Sequence, residues 1–406
     1  MAKVRTIAEN LKVENAKGTD CWERARKEYE YKTTALCTLD KKVLVAIGEM
    51  MNRTMQVDGN FVFSPVALYL ALISLAKITD GNTRKQIVDM LSINEKDMLG
   101  VYGALNCVTS NTTPMATSSI SSSLWINNRM DYNEELLLQL NKDLQLASYA
   151  GEMGTDEMDT QLAEWINKTT GNMLADSVKV KTMQDTLLEL LTTIYFKSMW
   201  DHDFDAEDTM PGSFYLADGN EVRCKFMNQW IRTAYHTGTK FTAITKALNA
   251  GYDAIFILPD EGVNIDEVIR DFEWYQLATT GRLNTTKQMQ VDLFMPKYDI
   301  STKLDLRNVM KLFGVEDAFD SALADFTPIS TMPEVFLAKA EQTTRFKVNE
   351  EGIEAASCVD FGAVAAGIPP KLDEVKFVLN RPFVFMVISR DTVPVFAGMV
   401  ENPCEK

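Results

Sequence analysis

The chain has 406 residues, 46% hydrophobic and 24% charged, which is enough apolar material for one large core or two ordinary ones and excludes general disorder. Against 41 Lys and Arg stand 57 Asp and Glu, so the net charge of −16 repels phosphate backbones and anionic headgroups, and neither nucleic acid nor a membrane surface is expected as a partner. Two histidines, His202 and His236, leave no base for a conventional triad and no His-rich metal site, so no enzyme activity, metal or cofactor is expected.

Taken in chain order, Met1 to Glu30 is polar and lacks the apolar centre of roughly 7 to 15 residues that a signal peptide needs. No segment reaches the ~18 consecutive apolar residues of a membrane span. The expected address is cytoplasmic, with extracellular release by an unconventional route as the alternative. The six cysteines, Cys21, Cys37, Cys107, Cys224, Cys358 and Cys404, are scattered without a C-x-x-C pair and read as free thiols in a reducing compartment. Residues 1–38 carry mixed charge and little apolar periodicity, so they read as an N-terminal extension, a loosely attached helix or arm. Residues 39–406 show no Pro/Ser linker and no internal repeat, and read as one α+β domain.

Within that domain, Val43, Leu44, Ile47, Met50 and Met51 recur at helical spacing, and 66–78 is apolar almost all round, predicting a buried helix. Thr83 to Gln86 has the spacing of a capping box, which starts another helix there. Residues 119–126 and 186–200 read as strands, 133–144 and 156–174 as helices, and 213–259 as mainly sheet. Further on, Ala338, Ala340, Gln342, Thr344, Phe346 and Val348 alternate with charged neighbours, as in a half-buried strand. After Glu350, Glu351 and Gly352 the alternation resumes, with Ile353, Ala355, Ser357, Val359, Phe361 and Ala363 on one face. Between the two runs there is no Asn-Gly or Asp-Gly to make a tight hairpin, so the second has a strand pattern without an obvious turn.

These residues resemble the serpin family. The likeness is carried by the hinge Glu350-Glu351-Gly352-Ile353-Glu354-Ala355-Ala356, by Arg381-Pro382-Phe383, by Phe396-Ala397-Gly398 with Asn402-Pro403, and upstream by Asn60 to Pro65 and Ile194 to Trp200. It extends from about Leu39 to Pro403. The resemblance implies an α+β fold of three β-sheets with about nine helices, and an exposed reactive-centre loop at about 350–375. It implies a suicide-substrate inhibitor: a serine protease attacks the loop, forms an acyl-enzyme, and is dragged away as the hinge inserts into the large sheet. The alternating residues from Ile353 to Ala363 would then be the buried face of the inserted strand. Insertion gains ladder hydrogen bonds of net ~1 kcal/mol each plus apolar burial, on the order of 10 kcal/mol in all. At ~3.3 Å per residue, a strand of about 15 residues displaces the protease by ~50 Å.

Family spacing puts the scissile bond between Ala366 and Gly367, with Ala365 and Lys371 as the alternatives because the chain is longer than usual beyond Pro370. Val364, Ala365 and Ala366 present only small aliphatic groups, which suit the shallow pocket of an elastase-like protease, held as a covalent acyl complex. In the sheet-opening region Ser64 and Trp200 match the family, whereas Thr192 and Gln342 stand at its buried Asn and His positions. The side chains of Thr192 and Gln342 could bond each other or a strand amide. Without a dense Lys/Arg face in the first half, heparin is not expected as an activator. The protein is expected to be a monomer that can form loop-sheet polymers. The competing function is a non-inhibitory serpin acting in storage, carriage or chaperoning.

Overall fold

The computed structural model describes residues 4–9, 41–174, 180–271, 273–353 and 372–405. Its α-helices are α1 (Lys41–Thr54), α2 (Pro65–Lys77), α3 (Gly81–Leu91), α4 (Met98–Thr109), α5 (Glu134–Leu144), α6 (Asp156–Thr169), α7 (Ile265–Ile269), α8 (Glu273–Thr280) and α9 (Leu306–Leu312), nine among the described residues. The strands of the first half are β1 (Arg5–Ala8), β2 (Phe61–Phe63), β3 (Asn111–Thr112), β4 (Ala116–Asn127), β5 (Ala147–Gly151), β6 (Leu188–Met199), β7 (Met210–Tyr215) and β8 (Glu221–Thr237). Those of the second half are β9 (Phe241–Leu248), β10 (Tyr252–Pro259), β11 (Lys287–Pro296), β12 (Tyr298–Asp305), β13 (Lys339–Val348), β14 (Gly352–Ile353), β15 (Glu374–Val378), β16 (Phe383–Ser389) and β17 (Pro394–Val400).

The expected all-round apolar helix is α2, buried from Pro65 to Ala76. Pro65 supplies the first helical turn with its fixed φ, and the Ser64 hydroxyl before it accepts from the Ala67 N–H. The next helix departs from expectation at its start. Asp80, not Thr83, caps α3, and the buried Thr83 hydroxyl instead accepts from the Asp325 backbone N–H at 3.0 Å. Asp80 wins because its carboxylate reaches the Gly81 N–H at 2.9 Å while Gly81 takes a φ of +53°, a left-handed value that glycine adopts without cost. At the end of α6, Gly171 and Asn172 both take positive φ and stop the helix short of Leu174.

The strands form a first sheet in the order β1-β5-β4-β6-β14-β13-β12, with β3 beside β4, and a second in the order β15-β11-β8-β9-β10-β16-β17-β2, with β7 beside β8. Two of the three expected sheets are joined, because the 17-residue β8 pairs β7 and β11 along most of its length and β9 at its end. Between the two sheets lies an aromatic layer: Phe346 of β13 stacks on Phe385 of β16 at 4.6 Å and meets Phe396 of β17 at 5.3 Å. A separate apolar layer under α6 joins Trp165 and Leu162 to Trp125, Tyr149 and Leu191 of the first sheet.

The loosely attached arm expected for the extension is corrected in part. Arg5–Ala8 is an edge strand on β5, pairing Arg5 with Ala150 and Thr6 with Tyr149, and Arg5 bridges Glu134 of α5 at 2.7 Å while Glu9 meets Lys168 of α6 at 3.2 Å. Residues 10–40 lie outside the described residues. No helix among the described residues is long and apolar enough to cross a membrane, and no group of His, Cys, Asp and Glu among them could hold a metal ion.

Candidate functional site: the hinge and the parted sheet

In the middle of the first sheet, β6 and β13 run parallel and pair directly from Glu189 with Lys339 to Thr193 with Thr343. Beyond that point they part. At the far end Gly352 and Ile353 lie between them, antiparallel to both: Ile353 pairs with Val348 on one side and Ser198 on the other, and Gly352 pairs with Met199. Gly352 and Ile353 of the hinge are therefore already strand. Ile353 is 1% exposed, in agreement with its assignment to the buried face. A Cβ on Gly352 would stand 2.2 Å from the Ser198 carbonyl oxygen, so only glycine lets the chain enter this close to β6.

The turn that the sequence did not reveal is made by Asn349. Its N–H donates to the Gly352 carbonyl at 3.0 Å, and its side-chain oxygen accepts from the N–H groups of Glu351 at 3.1 Å and Gly352 at 3.0 Å. An Asx-type turn does the work expected of Asn-Gly, and the signal for it was an Asn two residues before the Glu-Gly. Glu350 is fixed by groups from two separate parts of the chain. Its carboxylate accepts from Lys297 at 2.6 Å and Thr209 at 3.0 Å, and its carbonyl from the Phe204 N–H at 2.9 Å. Burial pushes this carboxyl up, but the hydrogen bonds and the Lys297 charge outweigh it and hold the group below the ordinary carboxylate range.

Trp200 closes the same end. Its indole N–H donates to the Asn349 carbonyl at 3.0 Å, and its backbone N–H to the Glu351 carbonyl at 3.0 Å. Lys246 lies over the rings of Trp200 and Phe204, 5.1 and 4.4 Å from their centroids, and donates to the His202 carbonyl and the Gln229 side chain. Burial holds the Lys246 amine down at about 7, against the opposing pull of Asp203 and Asp201.

Thr192 and Gln342 are themselves partners in the direct β6–β13 pairing, and Ser64 meets Gln342 there. Trp200 does not join them; it belongs to the hinge. Although Gln342 and Thr192 are register partners, their side chains do not bond each other. Gln342 instead accepts from the Ser64 N–H at 2.7 Å and donates to the Ser64 carbonyl at 3.0 Å, while the Thr192 hydroxyl shares a hydrogen bond with Ser122 at 3.2 Å. The buried Gln is thus paired with backbone, which escapes the ~1 to 3 kcal/mol cost of an unsatisfied amide. Glu354, Ala355, Ala356, Ala366 and Gly367 lie outside the described residues. Lys297 and Lys246 were missed because Lys297 reaches Glu350, and Lys246 reaches Trp200, from distant parts of the sequence.

The family described as serpin (serine protease inhibitor) matches residues 46–403. The chain belongs to the serpins. Among relatives, this serpin is 26% identical over 366 residues to human neuroserpin, covering 85% of this chain and 87% of that protein. It is also 26% identical over 368 residues to a serine protease inhibitor of Cyanea capillata, covering 85% and 93%. Two solved structures share its fold: the thermophilic serpin tengpin in the native state, with a TM-score of 0.79 at 21% identity over 90% of this chain and 95% of that one, and thyroxine-binding globulin in complex with thyroxine, with a TM-score of 0.76 at 21% identity over 90% and 99%.

Proposed function

We propose that this serpin is a suicide-substrate inhibitor of serine proteases with an elastase-like preference, cleaved between Ala366 and Gly367. The observation that carries the reading is the register at the hinge. Continued residue by residue from Ile353 opposite Ser198 and Val348, the ladder brings Val359 between Thr192 and Gln342, and Ala363 opposite Leu188, the first residue of β6. The space available from Ser198 to Leu188 thus matches the run from Ile353 to Ala363, in which alternate residues are small or apolar and uncharged. For the strand to enter, the direct pairs from Glu189–Lys339 to Thr193–Thr343 must separate. Their loss is offset because the inserted strand pairs on both sides.

Mixing with an elastase-type protease tests the reading on a denaturing gel. The expected result is a complex that survives denaturant and a released C-terminal peptide beginning at Gly367, formed far faster than with trypsin. A peptide beginning at Leu372 would place the bond at Lys371 instead. Plain cleavage without a stable complex would favour the non-inhibitory reading, of which thyroxine-binding globulin, solved with thyroxine, is the structural example.

A further inference from the structure

Cys224 lies on β8, half-buried and opposite Gly212 of β7. Cys404 lies in the exposed tail that follows β17. Nothing in the linear sequence pairs them, but the tail has a fixed path. The Asn60 side chain, just before β2, donates to the carbonyls of Asn402 at 2.7 Å and Glu405 at 2.9 Å, and accepts from the N–H groups of Glu401 at 2.9 Å and Asn402 at 3.0 Å. Pro403 is buried, and the Asn402 side chain accepts from the Cys404 N–H at 3.1 Å. At the end of this path the Cys404 sulfur lies 3.4 Å from the carbonyl oxygen of Arg223, the residue next to Cys224, so the tail ends beside Cys224 on β8. The ordering entropy of bringing two distant sulfurs together has already been offset by folding.

We propose that Cys224 and Cys404 are a disulfide-forming pair, a redox modification site that closes the C-terminal tail covalently onto β8, with a small disulfide of the glutathione type as oxidant. Cys404 is exposed and meets the oxidant first. Its thiolate attacks one sulfur of glutathione disulfide, the S–S bond breaks, and one glutathione leaves and takes up the proton that Cys404 gave up. Cys224 then attacks the Cys404 sulfur of the mixed disulfide and expels the second glutathione, which takes the Cys224 proton. The pair loses two electrons and two protons, and one glutathione disulfide becomes two glutathiones. Burial, and after it the neighbouring Cys404, pushes the Cys224 thiol up to about 12, which suits it to the second, intramolecular step rather than the first.

The test is equilibration of the full chain in mixtures of glutathione and glutathione disulfide, followed by alkylation, digestion and mass spectrometry. The expected product is a linked peptide containing Cys224 and Cys404 that accumulates as the disulfide fraction rises and vanishes on reduction, with Cys107 still alkylated. Oxidation should also raise the melting temperature by about 4 to 8 °C, and Cys404→Ser should lose both the link and the rise. Cys404 stopping as a glutathione adduct while Cys224 stays alkylatable would overturn the pairing, as would a link from either cysteine to any other. The mapping on the parent chain decides the matter even if the variant does not fold.

Discussion

At Ile353 the side chain is enclosed between Ser198 of β6 and Val348 of β13, and an arginine there would bring an unpaired charge into the sheet interior at a cost of several kcal/mol. On the proposed reading, Ile353→Arg should therefore expel this end of the strand from between β6 and β13, block further insertion and turn an inhibitor into a substrate. On a gel with an elastase-type protease, cleaved chain should replace the stable complex; a complex formed as well as by the parent would refute the buried face. Gln342 offers a contrasting case. Its amide bonds both backbone groups of Ser64, of which the C=O also accepts from the Leu68 N–H at 3.1 Å, so Gln342→Leu leaves the buried Ser64 N–H unpaired and should destabilise the fold by about 1 to 3 kcal/mol. Because the Gln342–Ser64 bonds do not cross from β13 to β6, denaturant melts should show that loss in intact and loop-cleaved protein alike.

Among the elements, β1 ties three parts of the molecule together: its ladder holds β5, Arg5 reaches α5, and Glu9 reaches α6, the helix that lies over the first sheet. Deleting residues 1–9 exposes the β5 edge, and an unpaired edge is a template for another chain. The truncated protein should form oligomers on mild warming sooner than the parent, as read by size-exclusion chromatography; unchanged behaviour would mean that the strand is dispensable. Strand β9 contributes Lys246, and its buried amine gives a pH dependence. Between about pH 7, where the folded group loses its proton, and its ordinary value of 10.5, the unfolded chain binds the proton and the folded one does not. Stability contributed by this group therefore rises with pH across that window. Below 7 both states hold the proton, and above 10.5 neither does. A melting temperature that climbs from pH 7 to 9 in the parent and climbs less in Lys246→Met is the expected outcome.

For the molecule as a whole, β6 and β13 still pair directly with each other from Glu189–Lys339 to Thr193–Thr343, so no strand separates them there. On the proposed reading, cleavage near Ala366 would free one end of the loop and allow a full added strand, on the order of 10 kcal/mol from ladder bonds and apolar burial. In a domain this large each kcal/mol moves the melting temperature by about 2 °C, so the nicked protein should melt ~20 °C higher in a calorimeter. Equal melting temperatures would show that the loop does not insert, and would favour the non-inhibitory reading without disturbing the fold.

Alternation, helical period and turn chemistry are local properties, and from them the sequence determined the buried helix α2, strands β4, β6 and β13, and the burial of Ile353. The order of several weak motifs also determined the family. Tertiary structure alone decided how far β6 and β13 stay paired, because strand separation depends on what lies between two segments far apart in the chain. It decided that Gln342 bonds the Ser64 backbone instead of its register partner Thr192, since a side chain takes the partner within its reach and not the one across the ladder. It took the Thr83 hydroxyl to the Asp325 N–H, drew Arg5–Ala8 onto the sheet edge, and brought Lys297 to Glu350 and Cys404 beside Cys224. Each of these rests on a contact between distant segments, which no spacing in a linear sequence encodes.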